Sequence, residues 1–453
     1  MSNPGDADAT PIESVRQLVE YLAVGCKPAE RFTIGTEHEK FGFRLSDFAS
    51  PPYTPDGIRA ILESIGAQGW EPILDHGLPI GLKRGSASVS LEPAGQLELS
   101  GGMLTSLHET RAEFAAHYAD VRAAAAPLGL GFAPLGFHPT HSRADMPWMP
   151  KSRYAIMRRY MPQVGSMGLD MMTRTCTVQV NLDYESEADM RRKLRVSLAL
   201  QPVATALFAN SPFVEGRPSG FLSYRAHVWT DTDNQRSGMP ALMFAPDFGF
   251  ERYVDWVLDV PMYFVMRDGE MIDMAGQSFR RFMAGDYSNT PAGHATMGDF
   301  ADHLTTVFTD VRLKRFLEMR GADAGSLEMM VAQSALWVGL LYDPAALAAA
   351  HALVQPMDAA SCAALRPQVA RHGLAAPFGT RTVRDIAADM LAIATDGLKA
   401  RARRDAAGSD ETIHLAPLYD IINGAPTQAE HWLARFHGEW CGDVTRIFSE
   451  AAI

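Results

Sequence analysis

The sequence predicts an α+β fold built on an antiparallel sheet, and three observations lead there. Short stretches that alternate with period two, at 34–43, 82–98, 175–183 and 313–320, carry the strand signal. Stretches with apolar residues three and four apart, or apolar over many turns, at 11–24, 103–128, 187–210 and 327–341, carry the helix signal. The two kinds follow one another in mixed order, without the regular strand–helix alternation of a doubly wound parallel sheet.

In chain order, Ile12, Val15, Leu18, Val19 and Leu22 form one stripe of an amphipathic helix that ends near Gly25. The run Thr33-Ile34-Gly35-Thr36-Glu37-His38-Glu39-Lys40-Phe41-Gly42-Phe43 follows as a strand. A helix is expected over 53–66 and a hairpin over 82–98, where Val89, Leu91, Leu97 and Leu99 alternate and Gly85 and Pro93-Ala94-Gly95 supply turns. Leu104, Leu107, Phe114, Tyr118 and Val121 mark a helix over 103–128, and Thr175 to Asp183 alternates most cleanly of all. Gly129 to Gly136 only loosely resembles a dinucleotide loop, has a proline where the helix should begin, and is read as a turn. A long core helix over 187–210 stops at Ser211-Pro212, because proline disfavours helix in the residue before it. Residues 313–320 read as one strand, 327–341 as a buried helix, and the alanine-rich stretches at 345–352 and 383–404 as further helices.

The 453 residues are 47% hydrophobic and 21% charged, enough for a large core, and no Pro/Gly/Ser-rich linker divides them. Residues 1–30 are expected to form an N-terminal tail and helix, and 31–453 a single domain that is mainly helical in its C-terminal part, with disorder confined to the chain ends. Lys and Arg total 41 against 53 Asp and Glu, a net charge of -12, so neither nucleic acid nor an anionic membrane is an expected partner. Cys26, Cys176, Cys362 and Cys441 form no CxxC pair, which argues against zinc and disulfide frameworks and for reduced thiols. The first ten residues lack the pattern of a signal peptide, and no apolar run approaches the roughly 20 residues of a membrane span. A soluble cytoplasmic protein is the expectation.

The chemistry concentrates in the strands. Glu37 and Glu39 stand two apart, and side chains at i and i+2 of a strand share a face. Carboxylates that close repel each other unless a cation lies between them, and a hard metal ion bearing phosphate suits that position. Three other strand-like stretches repeat the pattern: Gln96 and Glu98, with Glu92 just before their turn; Gln179 and Asn181; Glu318 and Arg320. Any one of these is more often the wet side of a half-exposed sheet. Four together point to a concave acidic floor that holds Mg²⁺, with Arg320 opposing the charge that develops on a transferring phosphoryl group. No GxxxxGK[ST] motif occurs, so a triphosphate would be held by metals and arginines. Arg153, Arg174 and Arg225 are the candidates, each of which taken singly is more often an ion pair. His38 lacks the spacing of a zinc protease and is read as a core or supporting residue.

Several stretches resemble the glutamate–cysteine ligases of the plant and proteobacterial type: Ile34 to Gly42, Ser90-Leu91-Glu92-Pro93, Gln96 to Gly101, Gly168 to Met172, Arg174 to Asn181, Trp229-Thr230-Asp231-Thr232-Asp233 and Leu317 to Asp323. The resemblance runs from Thr33 to about Phe448. It implies a glutamine-synthetase-like catalytic domain whose curved antiparallel sheet, flanked by helices, binds ATP and Mg²⁺ on its concave face. The implied reaction joins the γ-carboxyl of L-glutamate to the amine of L-cysteine through γ-glutamyl phosphate, the first step of glutathione synthesis. Carried over by motif, Glu37, Glu39, Glu92, Glu98, Gln179 and Glu318 are the metal ligands, Arg320 is catalytic, and Arg225, Trp229 and Arg153 bind glutamate.

The departures from the plant pattern carry expectations too. Arg111 and Met274 stand where plant members have cysteines, and the loop from Asp286 to Asn289 has none, so thiol–disulfide control of the plant kind should be absent. The plastid-targeting extension is missing, which fits a bacterial cytoplasmic enzyme. Competing readings are a ligase with a different amine acceptor, a supplier of γ-glutamylcysteine to another thiol such as ergothioneine, and a sensor on the same fold. The sensor would be expected to lose metal-site acids, and none is missing.

Overall fold

The computed structural model describes residues 8–453; the expected disorder of the N-terminal end falls on residues that lie outside this range. Nine strands form one open sheet: β1 (Ile34–Arg44), β2 (Glu71–Asp75), β3 (Leu78–Arg84), β4 (Ala87–Leu91), β5 (Leu97–Ser100), β6 (Leu130–Ala133), β7 (Thr177–Leu182), β8 (Val311–Leu313) and β9 (Leu317–Asp323). The order is β8-β9-β7-β1-β5-β4-β3-β2, with β6 on the far end of β1, and every pairing is antiparallel. β1 is central because its 11 residues are long enough to pair with β7 and β5 in its first half and β6 in its second.

The α+β expectation holds, and four elements differ in detail. Gly129 to Gly136, read as a turn, contains β6, whose Leu130–Ala133 pairs with the second half of β1. Residues 313–320 are not one strand: β8 and β9 are a hairpin turning at Lys314 to Phe316. The hairpin expected over 82–98 is the meander β3-β4-β5, extended by the edge strand β2. The helix expected from residue 53 is Ile58–Gly66, because Pro55 and the cap at Gly57 delay its start.

One face of the sheet is sealed by helices Leu107–Ala125 and Leu327–Leu341. The second is apolar on every side and buried from Met329 to Leu341, as a helix must be when a sheet lies on one flank and helix Val383–Arg401 on the other. Those two helices cross at Gly339 and Gly397, where a Cβ would come within 2.3 and 1.9 Å of backbone oxygen atoms. Each fully buried leucine or valine here stabilises the fold by about 1.5–3 kcal/mol relative to exposure. A smaller cluster packs Trp440, Val444, Ile447 and Phe448 against Phe41 and Phe43 of β1. All four thiols are free, and no single helix among the described residues is long and apolar enough to cross a membrane. The other face of the sheet, at its centre, borders cavities.

Candidate active site

The four polar pairs lie on four consecutive strands, β9, β7, β1 and β5, with Gln96 just ahead of the first residue of β5. Register sets Glu318 opposite Asn181, Gln179 opposite Glu37, and Glu39 opposite Glu98. Residues directly opposite in a ladder project to the same side, so these side chains form one patch on the face away from the helices. Glu92 joins from the turn between β4 and β5. Glu37, Glu39, Glu92, Glu98, Gln179 and Glu318 are each at most 9% exposed.

Carboxylates are rarely buried so densely, and their surroundings divide them into two kinds. Asn181 donates to Glu37 at 2.8 Å, the Thr177 backbone N–H to Glu39 at 2.9 Å, and Ser100 to Glu98 at 2.7 Å. For Glu37 and Glu39 these contacts do not outweigh burial, whereas Glu98 is held down to about 2 despite its burial, with the Ser100 hydrogen bond contributing. Burial, then the nearby Glu318 and Glu98, push the Glu37 carboxyl up. Burial, reinforced by Glu98 and Glu92, pushes Glu39 up to about 8. Burial likewise raises Glu92. Glu318 behaves oppositely: burial favours its neutral form, but Arg312, Lys314 and Arg320 outweigh it and hold the carboxyl far below the usual range. Arg312 grips both of its oxygen atoms, at 2.7 and 3.0 Å, Lys314 lies 3.5 Å away, and Arg320 also donates to it.

Arg320 sits in an irregularity of the β9–β7 ladder between Met319 and Ala322, which turns its side chain onto Gln179 at 2.5 Å. Arg225, from the short helix Tyr224–Val228, donates to the Arg320 carbonyl at 2.9 Å and lies 3.9 Å from Asp323. Its guanidinium is 6.0 Å from the Trp229 ring, and both Arg225 Nε and Trp229 Nε1 are buried without a partner. Arg225, Trp229 and Arg320 line a pocket together with Glu39, Glu92 and Gln179. Unpaired buried donors beside carboxylates are costly unless a ligand accepts from them.

Other expected residues are placed elsewhere. Arg153 is buried with its guanidinium 5.2 Å from the Phe264 ring and does not line that pocket. Arg174 is committed to Asp170 and Glu215, at 2.8 and 3.1 Å for its Nε and Nη1 contacts, and so is a structural ion pair. Gln96, just before β5, is the exception: it lines that pocket, and it also holds the 93–95 turn by accepting from Ala94 at 2.9 Å and donating to two carbonyls. His38 lies on the reverse face, 4.3 Å from the Phe114 ring, and burial pushes it well below its usual range.

The sequence reading passed over Arg312 and Lys314. Their signal was the alternation of Val311-Arg312-Leu313, which a hairpin would have registered against Glu318. It also passed over Lys151, buried beside a cleft of about 1090 Å³ that opens at the Glu37 and Asn181 end of the acidic patch. Lys27, Lys83 and Arg315 line the same cleft, whose size is at the upper end for small-molecule sites.

As placed, no three His, Cys, Asp or Glu side chains among the described residues converge on a single metal position. The chemistry of the set nonetheless suits a hard cation: its donors are oxygen atoms on one face, and Glu37 and Glu39 are raised by burial and then by neighbouring carboxylates whose charge a cation would offset.

Residues 33–450 match the model of glutamate–cysteine ligase family 2. The chain is 49% identical over 434 residues, 96% of its length, to the glutamate–cysteine ligases named chloroplastic of Brassica juncea, covering 83% of that protein, and of Nicotiana tabacum, covering 82%. The same identity and coverage of this chain hold for the chloroplastic enzyme of Arabidopsis thaliana, of which 82% is covered. These relatives are named chloroplastic, which contradicts the cytoplasmic expectation. In fold, the chain resembles the glutamate–cysteine ligase of Francisella tularensis solved in complex with AMP, with a TM-score of 0.54 and 12% identity over 92% of this chain and 88% of the other.

Proposed function

The chain belongs to glutamate–cysteine ligase family 2, and we infer from this premise that the acidic patch and its two flanking cavities are where the ligation occurs. The enzyme joins the γ-carboxyl of L-glutamate to the amine of L-cysteine at the expense of ATP, which becomes ADP and phosphate. A γ-carboxylate oxygen attacks the γ-phosphorus of ATP, the bond to the bridging oxygen breaks, and ADP departs from γ-glutamyl phosphate. The cysteine amine then attacks the acyl carbon, phosphate leaves with the C–O electron pair, and the amine gives up a proton to form the amide.

The cleft at the Glu37 end is the place for ATP, with its basic rim facing the phosphates. Glu37, Glu39, Glu92, Glu98 and Gln179, with Glu318 at the margin, would hold Mg²⁺, whose charge when bound offsets that of the phosphates. Arg320 lines the pocket beside Glu39 and Gln179 and opposes the negative charge that grows on the phosphoryl oxygens. Glu318, pinned by Arg312, holds Arg320 from behind. Arg225 donates to the glutamate α-carboxylate, since its Nε is an unpaired donor, and Trp229 supplies an N–H beside it. The enclosed pocket keeps water from the acyl phosphate.

The observation that carries this reading is the arrival of four separate polar pairs on four adjacent strands, facing one way. ADP release measured with glutamate and a panel of amino acid acceptors tests it. Cysteine should give the fastest release, and another amine that outpaces cysteine would remove the assignment.

A further inference from the structure

The pocket beside Glu39 and Gln179 does not end at Arg225. A second chamber continues beyond it, and Arg225, Trp229, Phe308 and Arg320 line both. At the far end of this chamber stand Thr205, Asp310 and Arg366, and Pro202 and Val369 give it apolar walls. Arg366 reaches in from helix Ala359–His372. Its Nε lies 2.9 Å from one Asp310 oxygen and its Nη2 donates to the other at 3.1 Å, so the plane of the guanidinium is fixed. The remaining nitrogen, Nη1, lies against Gly238, where a Cβ would be 3.2 Å away and where φ is +84°. A side chain there would press on the guanidinium, so glycine keeps that edge clear.

We propose that this chamber is the acceptor site of the ligase, and that Arg366 binds the α-carboxylate of the incoming amino acid. The assignment rests on the ligase reading above. An acceptor must turn its amine toward Arg320, where the acyl phosphate forms, and its other end then extends toward Thr205 and Arg366. The apolar walls suit a small thiol side chain. Asp310 has two effects: it orients Arg366, and its charge disfavours an acceptor with a second carboxylate. Arg225 and Arg366 thereby divide the two amino acids between them, one carboxylate to each arginine.

The test compares cysteine with 2-aminoethanethiol, which has the same amine and thiol but no carboxylate. In Arg366→Gln, the KM for cysteine should rise by about tenfold or more, because a site built to pair a carboxylate loses its partner. The KM values for glutamate and ATP should stay within about twofold, and turnover of 2-aminoethanethiol should be unchanged, so the preference for cysteine collapses. Arg366→Lys keeps the charge and the pairing with Asp310, should show a smaller rise, and serves if the glutamine variant fails to fold. Equal losses with both acceptors, or a rise confined to the glutamate KM, would overturn the assignment. Unaltered protein that releases no ADP with glutamate and cysteine would instead remove the ligase reading, and this assignment with it.

Discussion

β1 presents two chemistries on its two faces. Glu37 and Glu39 point to one side, and His38 and Lys40, alternating with them, to the other; all four are buried. On the reverse face, Lys40 donates to the Leu97 carbonyl at 3.0 Å and meets His117 Nε2 at 2.8 Å, beneath helix Leu107–Ala125. Burial pushes the Lys40 ammonium down to about 7 and His38 lower still, so this face approaches neutrality by itself. On the front face, Glu37, Glu39 and Glu92 are raised by burial and by neighbouring carboxylates and face the cavities, whereas Glu318 is held low by Arg312, Lys314 and Arg320. Burial is therefore no mark of function on this strand. What separates the faces is whether the protein's own groups resolve the electrostatic conflict or leave it to a ligand.

The largest effects should come from the front. Glu39→Gln and Glu98→Gln should each cut glutamate-dependent ADP release by about 10²–10³ or more, the scale of losing one preorganised electrostatic group, with circular dichroism unchanged. Excess chelator should likewise stop turnover and Mg²⁺ restore it; full activity in chelator would sink the metal reading.

The two arginines sharpen the comparison within the front face. Arg320→Ala should lower kcat by about 10²–10³ and barely move the glutamate KM, because it acts on charge present in the transition state. Arg225→Lys should raise the glutamate KM by about tenfold with kcat nearly intact, since the ammonium keeps the charge and loses the two-pronged geometry. Steady-state kinetics showing the opposite split would reverse the two roles.

The reverse face should answer in stability. Lys40→Met keeps the volume but leaves the Leu97 carbonyl without its donor, at a cost of about 1–3 kcal/mol in urea unfolding. The smallest effect is in pH dependence, where the faces oppose each other. The folded carboxyl of Glu39 lies near 8, above its ordinary 4.5, so its contribution to stability is full below 4.5 and is lost as pH rises toward 8. The folded ammonium of Lys40 lies near 7, below its ordinary 10.5, so its contribution is full above 10.5 and is lost as pH falls toward 7. Urea midpoints across pH 5–8 should therefore fall less steeply in Glu39→Gln than in the unaltered protein, and an unchanged slope would contradict the buried-acid account.

The elements legible in the sequence were those with strong periodicity. Helix Leu327–Leu341 and strand Thr177–Leu182 stand where the apolar run and the alternation place them. The acidic patch was legible because i, i+2 spacing fixes a shared face locally, and the antiparallel topology then set the four strands side by side. The β8–β9 turn was missed because Lys314-Arg315-Phe316 contains none of the usual turn residues, and with it went the pairing of Arg312 with Glu318. Strand β2 was missed because Glu71-Pro72 and Asp75 sit on a largely exposed edge, where alternation is not enforced. Arginines were hardest to sort. Arg153, Arg174, Arg225 and Arg366 differ only in what the tertiary fold puts beside them, and no local pattern records that.

The central claim, that one strand works on its front and holds the fold on its back, is tested most directly by measuring ADP release and thermal unfolding on Glu39→Gln and Lys40→Met side by side. The account predicts that Glu39→Gln loses ADP release while its Tm is unchanged or higher, and that Lys40→Met keeps kcat within about threefold while its Tm falls by several degrees. Lost stability with retained turnover in Glu39→Gln, or lost turnover with unchanged Tm in Lys40→Met, would contradict it.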